Sequence, residues 1–305
     1  MNKTYSVGLI GLDTSHAVAF TRLLNDPESE FHVCGGKVTT AYAGGSPDVE
    51  MSISRVDGFT ATLRDDFGVT LCDSPEAVAD ACDLVFIETI DGRIHRQLFE
   101  RIAPFGKPTF IDKPFTIDPD EAKVILELAA GSAVPVMSCS ALRYADNLQA
   151  ALNDDAAGGI SGCDTFGPMN ILEPFEGLYW YGVHMAEMLV TALGAGCRRV
   201  QAYKNANHDV IACEWDDGRM GVIHGLREQH KQFGITLHRR DGMTFHNISA
   251  NQRPYYASLL DAIFRSLPEG RSDIPESEML EVIRIMDAAN SSRRTGAAVE
   301  LRPVK

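Results

Sequence analysis

The sequence lacks several features that would place a 305-residue chain in a specialised class. It contains no apolar run of about 18 residues or more, so no membrane-spanning helix is expected. Its first residues pass directly into a strand pattern, without the apolar stretch and small-residue cleavage site of a secretory signal. We therefore expect a cytoplasmic protein that does not bind a membrane.

Clustered basic residues and closely spaced cysteines are also missing. The 28 lysines and arginines are outnumbered by 42 acidic residues, and they are scattered along the chain. A polyanion partner needs a basic stripe, so we expect no nucleic acid. The seven cysteines form no C-x-x-C pair and no zinc-ligand spacing. We therefore predict reduced thiols and no metal site.

Short apolar runs alternate with amphipathic segments over the first part of the chain. The runs lie at residues 6–12, 37–43, 84–88 and 108–111. This alternation is typical of βαβ units and predicts a doubly wound parallel sheet, the Rossmann type of dinucleotide-binding domain. We place this domain at residues 1–122. Ligands of such sheets bind at the carboxyl ends of the strands, so the loops there form the candidate site.

The pattern changes in the second half of the chain. A helical stretch at residues 182–193 is followed by five strand-like runs, two of them joined by the hairpin signal Asp216-Asp217-Gly218-Arg219. Hairpin-connected strands flanked by helices indicate an α+β domain with a largely antiparallel, open sheet. We place this substrate and oligomerisation domain at residues 123–305. An open sheet face is a natural surface for contact between copies.

The first strand runs into the segment VGLIGLDTSHA, residues 7–17. Of the dinucleotide fingerprint Gly-x-Gly-x-x-Gly it keeps only Gly11, because Asp13 and His16 hold the other two glycine positions. Asp13 brings a negative charge to the place where a phosphate would approach. The hydroxyls of Thr14 and Ser15 can cap the following helix or donate to a phosphate at its N-terminus. A capped turn without a ligand is the alternative.

The second strand ends without the acid that usually binds the ribose 2′-hydroxyl of NAD. Its loop reads Gly44-Gly45-Ser46-Pro47, and no acid precedes Asp48. If a dinucleotide binds, this composition favours NADP over NAD, with Gly44 and Ser46 as candidate contacts. A plain connecting loop is an equally good interpretation.

Two further strands bring polar residues to the same sheet edge. The loop after residues 84–88 begins at Thr89 and reaches His95, and the next strand ends in Asp112 and Lys113. A partly desolvated lysine there would hold or protonate a substrate oxygen. The alternative is a surface ion pair between Asp112 and Lys113.

An aromatic segment leads into the helical stretch of the second domain. Tyr179, Trp180 and Tyr181 precede His184 and Glu187, which are three residues apart and share one helix face. A carboxylate beside an imidazole fixes its tautomer and raises its basicity, as a general base requires. The alternative is an aromatic core segment with one satisfied histidine.

Taken in order, these motifs resemble the Gfo/Idh/MocA family of glucose-fructose oxidoreductase, inositol dehydrogenase and rhizopine-catabolism proteins. The motifs that match are the turn at residues 7–17, the loop ending in His95, Asp112-Lys113-Pro114 in place of Glu-Lys-Pro, Arg143-Tyr144, Gly182-x-His184-x-x-Glu187 and the ending at residues 291–299. One departure stands out. The family's aspartate, four residues before the histidine, falls on Trp180.

The resemblance implies a nicotinamide-dependent oxidoreductase that transfers hydride at a hydroxyl or carbonyl carbon of a sugar, polyol or related small molecule. It implies that Lys113 polarises the hydroxyl and that His184 is the base, with Glu187 assisting. Arg143 and the three aromatic residues 179–181 become candidate substrate contacts. The chain is expected to form a homodimer or homotetramer.

The cofactor, NADP or NAD with NADP favoured, has a candidate binding set drawn from the loops at the sheet edge. The set comprises Gly11, Asp13, Thr14, Ser15, His16, Gly44, Ser46, Thr89, His95, Asp112 and Lys113. Fold does not decide function. The alternatives are therefore a non-redox enzyme, such as a lyase or hydrolase using His184, His95 and Glu187, or a ligand-binding protein that has lost nicotinamide chemistry.

Overall fold

The computed structural model describes residues 3–154, 157–175, 177–227 and 231–302. The strands in this part of the chain are β1 (Tyr5–Ile10), β2 (Gly36–Tyr42), β3 (Thr70–Leu71), β4 (Leu84–Ile87), β5 (Thr109–Asp112), β6 (Val136–Cys139), β7 (Ile160–Pro168), β8 (Cys197–Lys204), β9 (His208–Trp215), β10 (Met220–Leu226), β11 (Gly234–Arg239), β12 (Gly242–Asn247) and β13 (Val299–Glu300). The α-helices are α1 (Ser15–Asn25), α2 (Glu50–Ile53), α3 (Val56–Phe67), α4 (Pro75–Asp80), α5 (His95–Ile102), α6 (Pro119–Ser132), α7 (Asp146–Leu152), α8 (Gly182–Leu193), α9 (Tyr255–Ser266) and α10 (Glu276–Thr295).

The chain divides into two compact units. Unit 1 contains the residues up to Thr116 together with Asp120–Cys139 and Tyr256–Pro275, and unit 2 contains the rest. The boundary expected at residue 122 falls inside α6, whereas the units divide between Cys139 and Ser140. The physical reason is that β6 pairs with β5, so α6 and β6 complete the sheet of unit 1.

Unit 1 is built on a six-stranded sheet with the order β3-β2-β1-β4-β5-β6. Every neighbouring pair is parallel, which confirms the Rossmann-type domain expected from the alternating pattern. The all-apolar strand β4 is fully buried because helices cover both faces of such a sheet. Phe20 of α1 and Phe110 of β5 pack on Phe86 of β4, with ring centroids 6.2 and 5.5 Å from it.

One part of unit 1 comes from far along the sequence. Helix α9 packs Phe264 against the backbone of Gly36 at the start of β2, where an added Cβ would lie 2.2 Å from the ring. Tyr256 of the same helix contacts Phe20 with ring centroids 5.3 Å apart. The sequence pattern assigned this helix to the second domain, because linear order carries no information about such a return of the chain.

Unit 2 is built on a seven-stranded sheet with the order β12-β11-β7-β10-β9-β8-β13. The pairs are antiparallel except for β7 and β10, which confirms a largely antiparallel sheet. Helix α8 covers one face, since an added Cβ on Gly221 of β10 would lie 2.5 Å from Leu189. The other face carries Phe166 of β7 stacked on Phe245 of β12, with ring centroids 5.5 Å apart.

The sequence led to two further expectations, one about the cysteines and one about membrane-spanning helices. The seven cysteines are free, and five of them are buried. Within the described residues, no helix combines the length and apolar character needed to span a membrane.

We predict that Gly11→Ala destabilises unit 1 by more than about 3 kcal/mol, because strain and a backbone collision add. Gly11 has φ +93°, and an added Cβ would lie 2.6 Å from the backbone nitrogen of Thr89. Urea unfolding followed by circular dichroism measures the loss. The matched control is Gly68→Ala, which has φ +66° and open space around the added Cβ. It should lose only about 1–2 kcal/mol, and equal losses for both variants would contradict the proposed collision.

Candidate functional site

The candidate site residues are divided between the two units. Unit 1 holds the turn after β1 and the loops after β2, β4 and β5, which lie at the carboxyl edge of its parallel sheet. Unit 2 holds Arg143, the aromatic segment 179–181, His184 and Glu187.

The turn after β1 is held together by the side chain of Asp13, which is completely buried. Its carboxylate accepts hydrogen bonds from the Ser52 hydroxyl at 2.7 Å, the Thr89 hydroxyl at 3.2 Å and the Ile90 backbone N–H at 3.1 Å. The turn is thereby tied to α2 and to the loop after β4. Burial raises the pKa of Asp13 above its usual value, although these hydrogen bonds oppose the shift.

The N-terminus of α1, the helix that follows this turn, has no acidic side chain that would repel an anion. Thr14 is the N-cap of α1, and its hydroxyl accepts from the His16 N–H at 3.3 Å. Ser15 is exposed, and the first turn of α1 contains no acidic residue. The helix macrodipole and the N–H groups of the first turn therefore favour binding of a phosphate here. The Asp13 carboxylate accepts its hydrogen bonds from α2 and the loop after β4.

The loop after β2 is linked to the loop after β4 by a second buried carboxylate. Asp91 accepts a hydrogen bond from the Ser46 hydroxyl at 2.7 Å and three from Arg93, two from the guanidinium at 2.8 and 2.7 Å and one from the backbone N–H at 3.0 Å. Arg93 also reaches the exposed Asp48 at 2.9 Å. Burial raises the pKa of Asp91, but the hydrogen bonds from Arg93 and Ser46 outweigh burial and hold that pKa below its usual value.

The loop that contains Gly44 and Ser46 is therefore packed against the protein and held by hydrogen bonds within it. Gly44 has φ +61°, and an added Cβ would lie 3.3 Å from the Cα of Gly11. The Ser46 N–H donates to the Ser52 hydroxyl at 2.8 Å, so both polar groups of Ser46 already have protein partners. Of the two candidate cofactor contacts in this loop, Gly44 is the one next to the turn at Gly11.

His95 has a structural role, which corrects its assignment to the cofactor set and to the alternative hydrolytic site. The side chain is fully buried at the start of α5. Its Nδ1 lies 3.1 Å from the carbonyl of Phe115, and its Nε2 lies 2.9 Å from the carbonyl of Thr89. Both ring nitrogens thus lie against backbone carbonyls, and the ring joins the loops that follow β4 and β5.

The end of β5 carries the densest group of titratable side chains in unit 1. Asp112 is buried and its carboxylate lies 2.7 Å from Nδ1 of His16. Lys113 is only 6% exposed, and the peptide bond to Pro114 is cis. Glu88, which follows β4, is completely buried, and neither of its carboxylate oxygens has a hydrogen-bond partner in the described structure.

These charges shift one another's protonation. Burial lowers the pKa of Lys113, while Asp112 and Glu88 act in the opposite direction. Burial raises the pKa of Asp112, but His16 and then Lys113 outweigh it and hold that pKa below its usual value. The pKa of Glu88 is raised well above its usual value by burial and by the negative charge of Asp112. A lysine that gives up its proton more easily than usual is suited to proton transfer.

In unit 2, His184 and Glu187 meet at Ser140 rather than at each other. Nδ1 of His184 lies 2.7 Å from the Ser140 hydroxyl, and the Ser140 N–H donates to Glu187 at 3.1 Å. The other oxygen of Glu187 accepts from Arg143 Nε at 2.5 Å, and Arg143 also binds Glu278 at 2.8 Å. Burial raises the pKa of Glu187, with Arg143 opposing the shift.

This arrangement bears on the assignments of Glu187 and Arg143. A hydroxyl is one partner of the His184 imidazole, and Glu187 binds the Ser140 backbone N–H and Arg143, so its assistance to the ring stays a prediction. Arg143 is buried and bound to two carboxylates, Glu187 and Glu278, so its guanidinium serves the protein interior instead of a substrate. The exposed part of the cluster is the half-buried ring of His184.

The aromatic segment divides into one buried and two half-exposed rings. Tyr179 is buried, and burial raises the pKa of its hydroxyl, which is hydrogen-bonded to Asn290. It therefore belongs to the core and not to a substrate surface. Trp180 and Tyr181 are half-buried and meet edge to face at 6.1 Å. Tyr181 also contacts the His184 ring at 5.8 Å, so it remains a candidate substrate contact beside that imidazole.

Three site residues were missed from the sequence. Glu88 and Ser140 each follow a fully buried strand directly, at the edge where a Rossmann sheet binds ligands, and that position was the available signal. Ser52 lies on the four-residue helix α2, and nothing in its local sequence points to Asp13.

Part of the chain matches a known protein family. Residues 6–139 match the model of the Gfo/Idh/MocA family, an oxidoreductase family with an NAD-binding Rossmann fold. The match confirms the resemblance drawn from the sequence motifs. No curated protein matches the chain.

Solved structures share the fold over nearly the whole chain. A scyllo-inositol dehydrogenase from Lactobacillus casei is 15% identical with a TM-score of 0.79, covering 98% of this chain and 99% of its own. A myo-inositol dehydrogenase from Corynebacterium glutamicum is 14% identical with a TM-score of 0.79, covering 99% and 100%. GenD2 from gentamicin A biosynthesis, solved in complex with NAD, is 17% identical with a TM-score of 0.78, covering 99% and 98%.

We predict that Asp91→Asn destabilises the protein at pH 7 by about 1–3 kcal/mol, because a charged acceptor of several hydrogen bonds is lost. The folded pKa of Asp91 is lowered, so its contribution is complete above the unfolded pKa and disappears as pH falls through the folded pKa. The difference between wild type and variant should therefore shrink on acidification below about pH 4. Urea midpoints measured at successive pH values check this. Asp48→Asn, which removes an exposed partner of the same Arg93, should change the midpoint little. A difference that stays constant or grows in acid would contradict the assignment.

Proposed function

We propose that this chain, whose Rossmann domain belongs to the Gfo/Idh/MocA oxidoreductase family, oxidises or reduces a small hydroxyl compound with a nicotinamide dinucleotide. The substrate class is a sugar, a polyol or a related molecule, in keeping with the inositol dehydrogenases that share the fold. When bound, the dinucleotide would supply a hydride acceptor or donor.

Lys113 is the observation that carries the proposal. It is a buried lysine at the carboxyl end of β5, in the domain that matches an NAD-binding oxidoreductase family. Because burial lowers its pKa, it can donate a proton or a hydrogen bond to a substrate oxygen and take the proton back. Asp112 and Glu88 act against this shift.

His184 is the proposed general base of unit 2. The Ser140 hydroxyl, 2.7 Å from Nδ1, helps to fix the orientation of the ring. Ser140 is in turn held by Glu187 through its backbone N–H. Ser140 and Glu187 are therefore positioning residues. The family's aspartate is replaced by Trp180, so the hydroxyl of Ser140 does part of what that carboxylate would do.

The residues at the turn after β1 fit a dinucleotide. Gly11 makes the bend, and the N-terminus of α1 offers Thr14 and Ser15 with no acid in the first turn. We favour NADP because β2 ends at Tyr42 and is followed by Ala43 and Gly44, with no acid for a free ribose 2′-hydroxyl.

A second candidate function is favoured by two buried acids. Asp13 and Glu88 both lie at the edge where the dinucleotide phosphates and nicotinamide would bind, and neither forms an ion pair described in unit 1. A non-redox enzyme or a ligand-binding protein on the same fold would tolerate this negative charge more easily than a dinucleotide enzyme.

The open face of the unit 2 sheet is the proposed oligomer surface. The strand register places Tyr203, Phe166, Phe245 and Met243 on one face, opposite the face that α8 covers. Met243 is 71% exposed, Tyr203 64% and Phe245 60%. An apolar patch of this kind on a sheet face is typical of contacts between copies, so we propose a homodimer or homotetramer.

We predict that the protein binds NADPH more tightly than NADH, and that Lys113→Met and His184→Asn keep this binding. Titration followed by nicotinamide fluorescence measures the affinity. Turnover, assayed on a panel of sugars and polyols, should fall about 100-fold or more in each variant, because each loses a proton-transfer group. The exposed Lys123→Met serves as the control and should keep turnover.

Two outcomes would decide against the proposal. No fluorescence change with either dinucleotide at high concentration would leave the non-redox alternative. Wild-type turnover in both variants would remove Lys113 and His184 from the mechanism while keeping the cofactor assignment.

We predict that Phe245→Asp converts the oligomer to monomers, because a charge placed in an apolar contact must be desolvated. Light scattering coupled to size exclusion measures the mass. Leu71→Asp, at an exposed apolar position of unit 1, should leave the mass unchanged. A monomeric wild-type protein would contradict the proposed surface.

A further inference from the structure

Glu88 is the one side chain of the unit 1 site whose environment leaves its charge unexplained. It is completely buried, and neither carboxylate oxygen has a hydrogen-bond partner in the described structure. A buried carboxyl without partners costs free energy unless a proton or a cation compensates it. The surrounding residues therefore indicate what the group binds.

Two other metal-ligating side chains converge on Glu88. One ligand atom each from His16, Glu88 and Asp112 lies within 4.8 Å of the others, and the His16 and Asp112 atoms are 2.7 Å apart. The three residues come from the start of α1 and from the ends of β4 and β5. The His16 ring is held from the side by Tyr256 at 4.8 Å and Phe20 at 5.9 Å. The site is thus built on rigid elements.

The geometry points to a divalent transition-metal site formed by His16, Glu88 and Asp112, suited to an ion such as Mn²⁺ or Fe²⁺. One imidazole and two carboxylates are the mixed nitrogen and oxygen donors that such ions accept. Three protein ligands leave at least one coordination position for water or a substrate oxygen. Two carboxylates also match the charge of the ion.

Lys113 is the competing cation. It is buried beside both carboxylates and interacts electrostatically with Asp112 and Glu88. No metal site is expected from the sequence, because the ligands are 72 and 24 residues apart along the chain. The inference does not depend on the dinucleotide.

The probe is Mn²⁺, whose preference for oxygen and nitrogen keeps the seven cysteines out of the measurement. Full-length protein is stripped with chelator and dialysed, and free Mn²⁺ is then followed by electron paramagnetic resonance. We expect one bound Mn²⁺ per chain. Glu88→Gln and His16→Gln should each weaken binding by more than about tenfold, because each removes a ligand. Asp48→Asn, at an exposed acid near the same sheet edge, should bind as wild type does.

Thermal unfolding provides a second measurement. Mn²⁺ should raise the melting temperature of wild type and not of Glu88→Gln, because a ligand of the folded state stabilises it by mass action. If Glu88→Gln fails to fold, His16→Gln decides, because the His16 side chain is partly exposed. The proposal is overturned if wild type binds no Mn²⁺, or if the ligand variants bind as tightly as wild type. Binding that appears only in Lys113→Met would overturn it too, since the ammonium would then be the resident cation.

Discussion

Three buried carboxylates at the carboxyl edge of the Rossmann sheet, those of Asp13, Asp91 and Asp112, are each compensated by donors or a positive charge, and this compensation organises the candidate site. Asp13 takes its donors from α2 and the loop after β4, and Asp91 takes its donors from Ser46 and Arg93. Asp112 is bound to His16. The loops that follow β1, β2, β4 and β5 are therefore fixed to one another by charge compensation as well as by the sheet.

The same compensation acts in unit 2 with a different outcome. Glu187 is compensated by Arg143 and by the Ser140 backbone, and this pairing leaves His184 as the half-exposed member of the cluster. Burial of the ion pair between Glu187 and Arg143 costs desolvation free energy. The imidazole of His184 remains partly exposed to solvent. The proposed roles of positioning and proton transfer thus fall on side chains that lie one helical turn apart.

Much of the fold could be predicted because its signals are local. The helix expected at residues 182–193 coincides with α8, and the parallel strands follow from buried apolar runs such as β4. β7 escaped because Gly162, Gly167 and Pro168 interrupt its apolar alternation, although the strand lies inside the sheet. In the site, motif order singled out Lys113 and His184 as candidates, and their roles stay predictions. Motif order could not tell that Arg143 and Tyr179 are buried, because the packing of distant segments decides that.

The turn after β1 has one more consequence, which concerns the substitutions that position 13 can accept. Restoring a glycine at Asp13 would not recover the ordinary dinucleotide turn, because the Ser52 hydroxyl, the Thr89 hydroxyl and the Ile90 N–H would lose their acceptor in a buried place. The aspartate and its three donors form an epistatic set, in which each member is favourable only with the others present. A glycine at this position therefore requires simultaneous changes at Ser52 and in the loop after β4 if stability is to be kept.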